Sequence, residues 1–150
     1  MRTFALLLVV LAACGGDSGA PIESGSVSGS YKGTAFTPKF GFATVYQGTP
    51  LLGLATSGVG CGSENMSSPP GGHGIIISGF TYTASSFASA TVQIFENAGG
   101  NYSSYGSTGT LTLTDINDTT IAGSVMFTTT NSDNETYSAS GDFVIDHCPQ

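Results

Sequence analysis

The chain has no tryptophan and almost no basic side chains. Its 150 residues carry 3 Lys+Arg against 10 Asp+Glu, a formal net charge of −7. That excludes nucleic acid as a partner, because phosphate recognition needs clustered Lys and Arg. It equally excludes electrostatic docking on an anionic membrane surface. Charged residues make up 9% of the chain, far below the usual ~25%. The uninterrupted apolar run Phe4–Ala13 is too short to span a bilayer, which takes ~20 helical residues. Phosphate-cradling and dinucleotide motifs are missing. Outside the first residues the sequence has no sustained helical periodicity, and residues 84–90 read as one helical turn at most.

What is present points to strands. Ser, Thr and Gly fill 61 of 150 positions, yet 9 Phe, 6 Tyr and many Ile, Val and Thr accompany them. A disordered chain would lack that β-branched and aromatic content. Segments rich in these residues fall near 27–36, 40–47, 50–56, 74–82, 89–96, 108–115, 119–129 and 135–146, with Gly, Asn, Asp, Ser or Pro between them. Alternation is clear at Leu111 and Leu113, at Ile121, Gly123, Val125 and Phe127, and at Tyr137, Ala139, Gly141, Phe143 and Ile145. Period-2 alternation gives each strand one buried and one wet face, the antiparallel pattern. The run Ile75-Ile76-Ile77 predicts a strand covered on both sides. The expected fold is all-β, an antiparallel β-sandwich or small β-barrel of about eight strands.

The first residues are an address. Arg2 precedes the apolar run, which ends in Leu11-Ala12-Ala13-Cys14. That tetrapeptide resembles the lipobox of bacterial lipoproteins. The resemblance implies a signal peptide over 1–13, cleavage before Cys14, and lipid on the Cys14 thiol and the new amino terminus. Several acyl chains anchor stably where one would not. Gly15 follows, where the family's inner-membrane retention signal would be Asp, so the resemblance points to the outer rather than the inner membrane. Residues 14–26, rich in Gly and Ser, are expected to be a flexible tether. Residues 27–150 are expected to form one domain.

With Cys14 assigned to lipid, Cys61 and Cys148 remain for a disulfide in an oxidising compartment. A metal site using His73 or His147 is the rival, but the paired ligand spacing of zinc sites is missing. Asp115-x-Asn117-Asp118 and Asp133-Asn134-Glu135 have calcium-type oxygens without the ligand count of a calcium loop, and hairpin turns explain both. No pair of carboxylates suggests glycosidase chemistry, and Gly25-Ser26-Val27-Ser28-Gly29 places Val where a nucleophile elbow needs Ser. Asn65, Asn101, Asn117 and Asn134 head Asn-x-Ser/Thr sequons, which a bacterial lipoprotein leaves bare. Two expected loops could carry recognition, 57–73 and 97–107. The second holds Tyr102 and Tyr105 among Ser, Gly and Asn, a paratope-like mixture that could bind a sugar or a partner's pocket.

The sequence therefore predicts a cell-envelope lipoprotein whose mature part is a non-enzymatic binding or structural module. No cofactor or metal is expected, and the membrane is reached through Cys14. An inhibitor of a basic enzyme, or a carrier of a small apolar ligand, is the alternative. An envelope hydrolase ranks last, because no nucleophile–base–orienter set is visible.

Overall fold

The computed structural model describes residues 21–61, 71–83 and 86–148. The expected signal peptide and Cys14 lie outside that range, as do residues 62–70 of the expected loop 57–73. Among the described residues ten strands form a single sheet: β1 (Ser24–Gly25), β2 (Ser28–Tyr31), β3 (Thr34–Phe36), β4 (Phe40–Tyr46), β5 (Thr49–Ala55), β6 (Gly72–Ser78), β7 (Ser86–Ala98), β8 (Asn101–Ile116), β9 (Thr120–Thr130) and β10 (Thr136–His147). All but one of the pairings are antiparallel; β10 runs parallel to β4. Strands β4 to β9 pair in chain order, and β10 joins β9 to β4, so hydrogen bonding closes a ring of seven strands. β2 and β10 approach β7 across the interior.

Turn chemistry explains most of the strand ends. Lys32-Gly33, Gln47-Gly48 and Gly99-Gly100 each have positive φ at both positions. Tight hairpin turns of that hand match the twist of the strands they join. The first of them splits the expected strand 27–36 into β2 and β3. The third corrects the expected loop 97–107: Asn97 and Ala98 end β7, and residues 101–107 begin β8. Residues 86–90, expected to be one helical turn at most, belong to β7. Residues 21–26 are also corrected, because they dock on the sheet instead of forming tether. Pro21 bridges Phe40, the Ile22 N–H donates to Lys39 O, and Ser24 and Gly25 pair with Val144 and Phe143.

The interior follows the alternation. Leu111, Leu113, Ile121, Val125, Phe127, Tyr137, Ala139, Phe143 and Ile145 are all buried in one core with Leu52, Leu54, Ile75 and Ile77. A second, smaller cluster covers the outer face of β4–β7, where Phe42, Ala55, Phe95, Val59 and Cys148 are buried and Ile76 packs against them. The Ile75–Ile77 run is thus covered on both sides, as its lack of alternation predicts. Large rings sit over glycines directly across the ladder: Phe42 over Gly53 and Phe95 over Gly74. A Cβ at Gly74 would collide with the Phe95 ring and with the Leu54 carbonyl.

The Cys61–Cys148 disulfide links chain positions 87 apart and pins the segment after β5 to the end of β10. Its Cα–Cα distance of 5.2 Å is ordinary for such a bond. Reducing it, or making the double variant Cys61→Ser/Cys148→Ser, is expected to cost about 2–5 kcal/mol, because a long loop is freed in the unfolded chain. Urea unfolding with and without reductant checks this. Equal midpoints in the two conditions would show that the bond adds no stability.

Candidate functional site

Polar and aromatic side chains converge where three hairpin ends meet: Lys32-Gly33, Gly99-Gly100 and the 131–135 turn between β9 and β10. Their alternation places Tyr31, Tyr105 and Tyr137 inward at this end. Tyr105 stacks on Tyr137 with ring centroids 4.6 Å apart, and Tyr31 meets Tyr137 edge-on at 5.3 Å. The Tyr31 hydroxyl is 2.5 Å from Ser103 Oγ, tying β2 to β8.

One ion pair and one imidazole–carboxylate contact flank the tyrosines. Glu135 is held by three groups at once. Lys32 Nζ lies 3.1 Å from Oε1. Asn131 Nδ2 and the Tyr137 hydroxyl donate to Oε2 at 2.8 and 3.0 Å. The Asn131 amide, the Lys32 ammonium and the Tyr137 hydroxyl hold the Glu135 carboxyl below its usual range. The same carboxylate holds the Lys32 ammonium above its ordinary value. On the other side His73 Nε2 is 3.2 Å from Glu96 Oε1, and its ring stacks on Phe36 at 5.1 Å.

His73, Glu96 and Ser103 share one row across β6, β7 and β8. That order matters chemically. A nucleophile needs the base beside it and the acid behind the base. Here the carboxylate stands between the imidazole and the hydroxyl, and the hydroxyl is engaged by Tyr31. His147 instead lies beside a turn, with Nδ1 2.6 Å from the Asn117 carbonyl oxygen. Among the described residues no three of His, Cys, Asp and Glu gather closely enough to hold a metal ion. Both calcium-type segments are turns closed by their own side chains. Asn117 Oδ1 accepts the Thr119 and Thr120 N–H groups, and Asn131 Oδ1 accepts those of Asp133 and Glu135.

The backbone at this end is open. β8 and β9 pair from Ile116–Ile121 up to Thr110–Met126 and then part. Beyond that point Asn101–Gly109 pairs only with β7, and Phe127–Thr130 pairs only with β10, among the described residues. A groove of about 440 Å³, lined by Thr108, Thr110, Met126 and Thr128 among others, lies at the vertex of this fork.

The expected tyrosine pair is not one site. Tyr102 and Tyr105 are three positions apart on one strand and so face opposite sides. Tyr102 is 44% exposed, with its ring against Phe95. Tyr105 points in. The Tyr31–Tyr137 and Lys32–Glu135 contacts escaped the sequence reading because they join strands far apart in the chain, and His73–Glu96 escaped it because the pairing needs the register of β6 on β7. No protein family, no characterised protein and no solved structure matches this chain.

Burial, with the Glu135 carboxylate beside it, pushes the Tyr137 phenol up to about 12, and burial alone pushes Tyr82 as high. A phenol raised in the folded state stabilises fully below its ordinary pKa of ~10 and loses that contribution as pH climbs from there toward the folded value. Thermal midpoints are therefore expected to fall between about pH 10 and 12, and less steeply in Tyr137→Phe. Absorbance at the phenolate band should show Tyr82 and Tyr137 ionising near pH 12, well above the ordinary phenol value of ~10. Early ionisation of both would contradict the burial argument.

Proposed function

We propose that this chain is an exported, lipid-anchored binding module that takes an extended peptide into the fork between β8 and β9. The carrying observation is the run Asn101–Gly109, paired on one side only. A strand edge presents a row of unpaired N–H and C=O groups, and an added strand satisfies them. Tyr105, half-buried on the inner face, supplies apolar area with a polar tip for an inward side chain of such a peptide. Tyr102 supplies an exposed contact on the outer side.

Several features support binding over catalysis. The row His73–Glu96–Ser103 has the wrong order for a relay, and the ring interior is filled by side chains. Carboxylates lie at both ends, with Glu96, Asp133 and Glu135 near the fork and Asp115, Asp118 and Asp146 at the far end of β8 and β9. That spread favours no single basic partner. The lipobox-like Cys14 supplies the anchor. Pro21 is already docked on Phe40, so the sheet begins earlier than the tether expected over 14–26 allowed.

Two measurements test the two halves separately. The mature chain should carry acyl groups on Cys14 by mass spectrometry, and Cys14→Ala should leave the membrane fraction; an unmodified Cys14 joined to Ala13 sinks the anchor. A synthetic decapeptide alternating Thr and Val should slow amide exchange at residues 101–109. Tyr105→Ala should weaken that peptide's binding about tenfold, the loss of one buried aromatic contact. Unchanged exchange at saturating peptide removes the fork reading.

A further inference from the structure

The lipobox-like cysteine and the sheet come together at one edge. Pro21 bridges Phe40 at the start of β4. Opposed residues of an antiparallel pair point to the same side, so Pro21 shares the outer side with Phe40. Six residues, 15–20, separate Pro21 from Cys14. Seven Cα steps span at most about 25 Å, so a lipid on Cys14 keeps this edge of β4 close to the membrane.

The wall beside that edge is uncharged. Along β4, β5, β6 and β7 the outward positions carry no Asp, Glu, Lys or Arg. Phe40, Tyr46, Leu51 and Ile76 are half-buried there, around the fully buried Phe42 and Phe95. Charge begins at the border, with Lys39 one position before Phe40 and Asp146 paired with Phe42 on β10. The described carboxylates lie elsewhere. Glu23 adjoins β1, Glu96 turns inward to His73, and the others belong to β8, β10 and the turns flanking β9. A carboxylate pressed on lipid loses hydration and is repelled by anionic headgroups, whereas a neutral apolar wall meets neither cost.

We infer that the outer side of β4–β6 lies on the lipid surface to which Cys14 is tied. This rests on the lipid-anchor reading proposed above. The acyl chains supply the attachment, so the wall has only to favour one orientation and needs no affinity of its own. Tyr46 suits the headgroup level, where phenol rings keep a wet hydroxyl. In the ring of seven strands β9 stands opposite β5, so the β8–β9 fork then opens away from the membrane.

The chain has no tryptophan, so one introduced ring reports alone. Thr49→Trp on β5 and Ser78→Trp on β6 place it on this wall, and Thr128→Trp places it on the outer side of β9. Thr49 and Thr128 are exposed, so those two variants should keep the parent thermal midpoint. Thr49→Trp decides alone if Ser78→Trp lowers that midpoint. Each full chain is recovered from membranes and reconstituted in phosphatidylethanolamine–phosphatidylglycerol vesicles, with and without acyl chains brominated near the headgroup. Bromine should lower the emission of Thr49→Trp and Ser78→Trp about twofold, because a ring in the interface lies within ~10 Å of it. Thr128→Trp should be unchanged. Equal quenching at every position, quenching of Thr128→Trp alone, or none at all while the chain floats with the vesicles overturns this orientation and leaves the anchor standing. A chain that does not float with the vesicles overturns the anchor and this proposal together.

Discussion

The structure turns on two residue pairs. Asp146 and His147 lie parallel to Phe42 and Ala43, and these are the registered contacts by which β10 closes the ring onto β4. The Cys148 N–H donates to Ala43 O immediately beyond them. So short a ladder is weak by itself. It persists because β10 is held elsewhere, by eleven registered pairs with β9 and by β1 and β2 on its other edge. The disulfide then fixes the segment that follows. Without this closure β4 and β10 would each present an open edge, and edges invite pairing with other chains.

Closure also decides where the sheet can afford to open. A ring sealed at β4–β10 and along the lower half of β8–β9 keeps its core covered. The upper halves of β8 and β9 part without exposing Leu111 or Val125, because the tyrosine stack and the Lys32–Glu135 and His73–Glu96 pairs fill that end. The polar cluster is thus a plug as well as a rim. Its groups are tied to one another, which leaves the backbone edges of β8 and β9 open at this end among the described residues.

Legibility in the sequence followed the range of each interaction. Alternation at Leu111–Leu113, Ile121–Phe127 and Tyr137–Ile145 placed the inward faces correctly, since it reflects the local pleat. The two cysteines found each other by subtraction once Cys14 was set aside. The hairpin at Gly99-Gly100 was hidden by its flanks, where Ser, Tyr, Asn and Gly read as loop although the Gly pair is itself a turn signal. Ser24–Gly25 left no trace, because that strand is held by backbone bonds and its side chains do not pack. The row His73–Glu96–Ser103 needs the register of three consecutive strands, and that register depends on the hairpin at Gly99-Gly100, which the sequence reading took for loop.

The order of the strands along the chain gives the ring a history. Nine strands are made before the one that closes it, and β10 meets partners drawn from both the earliest and the most recent of them. Until it emerges, β2, β4 and β9 have no shared neighbour and the hydrophobic interior has no lid. In a chain built this way the ring closes only with its last strand. On the export reading proposed above, that order suits passage through a narrow channel, because closure waits until the last strand has passed.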